Sequence, residues 1–114
     1  MRRKRSLPKR TWLLRRIRAK VRQRDWELTL HAQRQSRARK ISQAEIESAI
    51  LTGRVIEDYP DDPRGPSCLV FGYTQQRRPI HIVVAYPVTG RRMKVITVYE
   101  PSADRWQAGW QKRR

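Results

Sequence analysis

Cysteine occurs once in this chain, at Cys68, which excludes an internal disulfide framework and any zinc site built from cysteine pairs. That residue opens the apolar run Cys68-Leu69-Val70-Phe71, where a thiol packs rather than reacts. No apolar stretch approaches the length of a membrane span, and none follows the basic N-terminal residues as a secretory signal requires. Histidine is confined to His31 and His81. The carboxylates Glu57, Asp58, Asp61 and Asp62 are interrupted by Tyr59-Pro60 and recur nowhere as a pattern, so they read as a solvated loop, and neither metal nor cofactor is expected. Acidic residues are missing altogether from the first 24 positions.

Positive charge is what the chain has in excess. Its 114 residues carry 27 Lys and Arg against 10 Asp and Glu, a net charge of +17. Solubility alone asks for a net charge of about 2–8 in a small domain. The surplus therefore points to a polyanion, whose neutralised phosphates release their counterions, with RNA expected ahead of DNA. Residues 1–24 hold 12 of the positive residues, whereas residues 25–114 have a net charge of only +5. The expected organisation is a basic arm, 1–24, joined to a single domain, 25–114. Within the arm, Leu13 or Leu14, Ile17 and Val21 recur at helical spacing among Arg15, Arg16, Arg18, Lys20, Arg22 and Arg24, just after Pro8. Such a basic amphipathic helix suits RNA, an anionic membrane surface or an acidic partner protein, and it equally suits a tail that orders only when bound. The arm has the arginine content of an organelle transit peptide but little serine, so a cytoplasmic location is expected.

Residues 26–40 read as an irregular helix with few apolar positions. Ser42 and Glu45 form a capping box, starting a helix from about Gln43 to Thr52 that Gly53 ends. Beyond Arg54 the pattern becomes that of strands. A short one opens at Val55-Ile56 and closes at Tyr59-Pro60, and three longer ones cover Ser67–Thr74, Pro79–Tyr86 and Arg91–Glu100. A turn or short helix from Pro101-Ser102 carries Trp106 and Trp110. The expected fold class is α+β, with two N-terminal helices packed on a four-stranded, mainly antiparallel sheet behind the basic helical arm.

If Val88-Thr89-Gly90 is a three-residue hairpin loop, Pro87 faces Arg91, His81 faces Thr97 and Pro79 faces Tyr99. Strand alternation then gathers His81, Thr97 and Tyr99 on one face, leaving Ile80, Ile82, Val84, Ile96 and Val98 to meet the helices.

Several segments, in order, resemble a bacterial domain-of-unknown-function family, number 4258: His31-Ala32, Arg39-Lys40-Ile41-Ser42, Gly53, Glu57-Asp58-Tyr59-Pro60, Cys68-Leu69, Gly72, Arg78-Pro79-Ile80-His81, and Thr97-Val98-Tyr99-Glu100-Pro101 with Trp106. The resemblance covers roughly residues 28–107. It implies a fold similar to RelE and barnase-like RNase toxins, and a partner antitoxin that often carries a zinc-finger domain. It also exposes a departure. Relatives usually place Arg and Met after His-Ala-x-x, where this chain has Gln35-Ser36, with Arg34 one position earlier and Arg37 as a further substitute.

On this footing the expected activity is metal-independent RNA cleavage by a toxin-like RNase of a type II toxin–antitoxin pair. That chemistry needs a base for the ribose 2′-hydroxyl, an acid for the leaving 5′-oxygen and cations for the phosphorane. His31 and His81 are the candidates for acid and base, Arg39 and Arg78 for phosphate, Tyr99 for the leaving group, and Thr97 for orienting His81. Plainer roles exist for each: capping or packing for the histidines, surface pairing with Glu45 or Glu47 for Arg39, solvated charge for Arg78. Trp26 and Trp106 are expected in the core, and Trp110, beside Lys112-Arg113-Arg114, is the candidate for base stacking. Two rivals remain open, a non-catalytic nucleic-acid-binding protein and a module docking an acidic partner protein.

Overall fold

Apolar residues decide where the basic segment goes. In the computed structural model, which describes residues 9–114, Lys9–Arg22 form helix α1. Its Leu13, Ile17 and Val21, a turn apart, are buried in the main core cluster. Two of its cations are also drawn inward. Arg18 donates to the Gly53 carbonyl at 2.8 Å and the Ile50 carbonyl at 3.4 Å, at the end of helix α3 (Gln43–Thr52). A cation is favoured there because the last carbonyls of a helix lack partners. Lys20, almost fully buried, reaches the Asp25 carboxylate at 2.7 Å and the Arg91 carbonyl at 2.6 Å. The helical part of the arm thus packs into the fold rather than projecting from it. Pro8 and the seven residues before it lie outside the described residues.

The helix expected over 26–40 is two elements. Trp26–Leu28 is strand β1, and Leu30–Arg39 is helix α2. A three-residue strand is too short to reveal alternation in the sequence. Thr29 separates the two, accepting from the Ala32 amide at 3.1 Å as helix cap while donating to the Ile96 carbonyl at 3.1 Å. Lys40 ends α2 in the left-handed region, φ 55°. The capping box at Ser42 and Glu45 forms as expected, starting α3.

Strands β2 (Arg54–Tyr59), β3 (Ser67–Tyr73), β4 (Pro79–Ala85) and β5 (Met93–Tyr99) complete a sheet ordered β1-β5-β4-β3-β2. It is five-stranded and mixed, not four-stranded, because β1 pairs parallel with β5. One face carries the main core, from Cys68, Val70, Ile80, Ile82, Val84 and Val98 to the helices. Helix α3 lies so close to β3 that a Cβ on Gly72 would sit 1.9 Å from the Ala49 carbonyl oxygen. Only glycine permits that approach. Among the described residues no helix is long and apolar enough to cross a membrane.

The β4–β5 register differs from the expectation by two residues. His81 faces Tyr99 and Val83 faces Thr97, since the connection is wider than three residues, with a turn from Val88 to Arg91 and Gly90 at φ 79°. A shift of two preserves faces, so His81, Thr97 and Tyr99 do share one side. A bulge then pairs Val84 with Val95, which sends Met93 and Val95 into the core and leaves Ile96 only half-buried at the sheet edge.

Candidate functional site

The face away from the main core is not open. The chain after β5 folds back over it as a small hairpin, with Trp106 bridging to Arg113. Trp106 joins Ile56, Leu69 and Phe71 in a second buried cluster, against which Tyr59, Val83 and Trp110 pack. Arg113 clips the hairpin to β2 through two bonds to the Glu57 carboxylate, at 2.9 and 3.0 Å, with its guanidinium 4.7 Å over the Trp106 ring. Burial pushes the Glu57 carboxyl up, but the bonds from Arg113 and Tyr59 outweigh it and leave it below the ordinary carboxylate range. Burial and the bond to Glu57 push the Tyr59 hydroxyl up to about 12.

His81 lies beneath this hairpin with no exposed surface. Its Nε2 is 2.7 Å from the Trp110 carbonyl oxygen and its Nδ1 is 3.2 Å from the Tyr99 hydroxyl. A carbonyl can only accept, so Nε2 carries the proton and Nδ1 accepts from Tyr99. Burial lowers the His81 pKa, although the Trp110 carbonyl and the Glu57 charge oppose it. Edge-to-face packing against Trp106, with ring centroids 4.3 Å apart, completes the enclosure. Enclosure thus favours the neutral imidazole, in the tautomer protonated at Nε2 and sealed from solvent. Burial also raises the pKa of the half-buried Tyr99.

Tyr99 has a second side. Together with Gln35 and Arg39 from α2, and Glu100, Ser102, Arg105 and Arg113 from the C-terminal segment, it lines a groove of about 370 Å³, whose one carboxylate, Glu100, is paired with Arg78. Helix α2 is held at that wall by the sheet edge. Strand β1 ends at Leu28, leaving β5 without a neighbour, and α2 replaces the missing strand: Gln35 accepts from the Val98 amide at 2.9 Å and Thr29 donates to Ile96. Gln35 and Arg39 lie one turn apart on α2, and His31 continues the same stripe by one more turn. Arginine forks and a tyrosine hydroxyl around one groove suit a phosphodiester.

The other expected site residues are dispersed. His31 is exposed in the first turn of α2 and makes no hydrogen bond to His81. Arg78 is committed to structure: it pairs with Glu100 and, at 3.7 Å, Glu45, and donates to the Arg39 and Lys40 carbonyls at the end of α2. Thr97 faces Val83, and the His81 ring is oriented by Tyr99 and Trp110 instead. Arg34 and Arg37 are exposed on α2. On α1, Arg15 and Arg22 are exposed and Arg16 stacks on Trp12 at 5.1 Å, whereas Arg18 and Lys20 hold the fold together. Trp110 is half-buried in the second cluster. Arg105, Arg113 and Gln35 escaped sequence reasoning. Arg113 stood only as one of a basic triplet, and nothing local marked its pairing with Glu57. Among the described residues no group of three His, Cys, Asp or Glu side chains is placed to hold a metal ion.

The family model Domain of unknown function (DUF4258) matches residues 28–100, from the end of β1 through β5, and the chain belongs to that family. No curated protein and no solved structure matches the chain.

Proposed function

We propose that this protein binds RNA through its phosphate backbone, with a phosphodiester seated in the groove between α2 and the C-terminal hairpin. The observation that carries this is the meeting of Arg39, Arg105 and Arg113 with Tyr99 and Gln35 around one groove, in a chain of net charge +17. Arg39 and Arg105 have no side-chain partner among the described residues, so their donors are available to a ligand. Gln35 and Ser102 offer donors and acceptors for a ribose 2′-hydroxyl, which favours RNA over DNA. Exposed Arg34 and Arg37 extend positive charge along α2. Titration of a labelled RNA of about 20 nucleotides against increasing salt tests this reading. Replacing Arg39 and Arg105 with alanine should lower the slope of log K against log salt by roughly 1.4, two phosphate contacts at about 0.7 each. An unchanged slope refutes it, and equal binding of the matching DNA refutes the preference for RNA.

One observation favours a second reading, that of a toxin-like RNase with a RelE/barnase-like fold. Tyr99 faces the groove while hydrogen-bonded to the acceptor nitrogen of a neutral histidine. In that reading the ribose 2′-oxygen attacks phosphorus and the bond to the 5′-oxygen breaks. Tyr99 turns its proton away from His81 Nδ1 and gives it to the departing oxygen, and His31, one turn along α2 from Gln35, accepts the 2′ proton. The products are a 2′,3′-cyclic phosphate and a 5′-hydroxyl. A cytoplasmic site of action and an antitoxin partner, with a zinc-finger domain, belong to this reading. It requires cleavage that persists in a chelator and disappears in Tyr99→Phe with RNA binding intact. Intact RNA after prolonged incubation with the purified chain sinks it.

A further inference from the structure

The amphipathic character of α1 left three classes of partner open, and its packing separates them. A helix that lies on a membrane inserts its apolar stripe among the acyl chains. Here that stripe is already spent: Leu13 and Ile17 are fully buried and Val21 is 3% exposed. What α1 presents outward is charge. Arg18 and Lys20 are held by the fold, and Lys9 pairs with Asp58 at 3.2 Å. Arg10, Arg15 and Arg22 are exposed and make no ion pair among the described residues, and Arg16 lies against the Trp12 ring. No carboxylate lies within α1.

We propose that the outer face of α1 is a second nucleic-acid contact, gripping backbone phosphate at a distance from the groove. Helix α1 packs on β2 and α3, with its last turns beside the β4–β5 connection, while the groove lies between α2 and the C-terminal hairpin. Helix α1 packs into the core on one face of the sheet and Trp106 of the groove lies on the other, so one RNA engages both only by wrapping around the sheet. A cleft of about 290 Å³ between α1 and the β4–β5 connection, lined by Arg16, Gln23, Thr89 and Gly90 with the Asp25 carboxylate neutralised by Lys20, gives the backbone a seat beside the helix. Trp12, 44% exposed, supplies an aromatic surface next to the arginines on which an unpaired base can stack. Charge, concavity and an exposed ring together fit a single-stranded RNA better than an acidic protein surface.

The inference rests on the RNA-binding reading, and the two can fail separately. The probe is a labelled single-stranded RNA of about 20 nucleotides, titrated against the full chain over a range of salt. Replacing Arg10, Arg15 and Arg22 together with alanine should lower the salt slope by about 2, three contacts at about 0.7 each, while a thermal melt changes little because these side chains are exposed and form no side-chain hydrogen bond or ion pair among the described residues. Replacing Trp12 with alanine should weaken binding several-fold without altering the slope. If the α1 variant keeps the full slope while the Arg39, Arg105 pair of alanines lowers it, this inference falls and the groove reading stands. If neither lowers it, both fall. Vesicles of phosphatidylserine and phosphatidylcholine are the control: binding to them that exceeds RNA binding and needs the same three arginines overturns the proposal in favour of a lipid surface.

Discussion

Acidification should weaken this fold through His81. In the folded chain the imidazole is enclosed, donates from Nε2 to the Trp110 carbonyl and accepts at Nδ1 from Tyr99. A second proton on Nδ1 would reverse the Tyr99 bond, the hydroxyl then accepting, and would bury a charge beside Trp106 and Arg113. Unfolding frees the ring to titrate near its ordinary value of 6.5, whereas the folded value is lower. Below about pH 6.5 the unfolded chain thus binds more protons than the folded one, and stability rises with pH and falls with acid. The slope cannot exceed about 1.4 kcal/mol per pH unit for one group, and with an unfolded value of 6.5 the loss from pH 7.5 to 5.5 is at most about 1.4 kcal/mol. The carboxylates held low by partners, Glu27, Glu57 and Asp62, lose their contribution only at more acidic pH. Urea unfolding at about pH 7.5, 6.5 and 5.5 measures the effect. The His81→Gln variant, which cannot titrate, should show a flat response, and His31→Gln, altered at an exposed position, should keep the wild-type slope. Equal slopes for wild type and His81→Gln would falsify the enclosure of a neutral ring.

Four further outcomes follow from particular contacts. Ile17→Ala should cost about 2–5 kcal/mol in urea unfolding, the usual range for a large core residue. A cost under about 0.5 kcal/mol would mean that α1 is not part of the folding unit. Gly72→Ala should cost about 3 kcal/mol, since a Cβ 1.9 Å from the Ala49 carbonyl must drive α3 off the sheet, and a neutral result would place α3 elsewhere. Arg78→Ala should cost about 1–2 kcal/mol by releasing Glu100 and the last carbonyls of α2, and Arg78→Lys should restore little because an ammonium cannot fork between them. Cys68, whose pKa burial pushes up to about 12, should resist a thiol reagent until the chain unfolds, so labelling as fast as that of a free thiol in native buffer would contradict its packing.

Local chemistry carried much of the fold. The Ser42 and Glu45 capping box, the extent of α3, the ends of the last three strands to within two residues, and the shared face of His81, Thr97 and Tyr99 all follow from residues near one another in the chain. Face assignment survived an error in register because alternation has a period of two, and the pairing slipped by two. Leu13, Ile17 and Val21 likewise announced a buried stripe, though not what would bury it.

Everything that depends on distant segments meeting was decided by tertiary structure. Strand β1 is three residues long and exists through its parallel partner in β5. Arg78 read as a phosphate ligand or as solvated charge because the two carboxylates and two carbonyls it serves come from α2, α3 and the end of β5. The opposite holds for Arg113, which stood only within the basic triplet Lys112-Arg113-Arg114, and for Arg105, which nothing local marked; the hairpin packed on the sheet brings both to the groove. His81 shows the division most clearly. Alternation placed it on the right face beside Tyr99, but whether that face met water or a tryptophan was set by how residues 101–114 fold back. Period and capping are properties of a few neighbouring residues, whereas solvent access is a property of the whole packed chain.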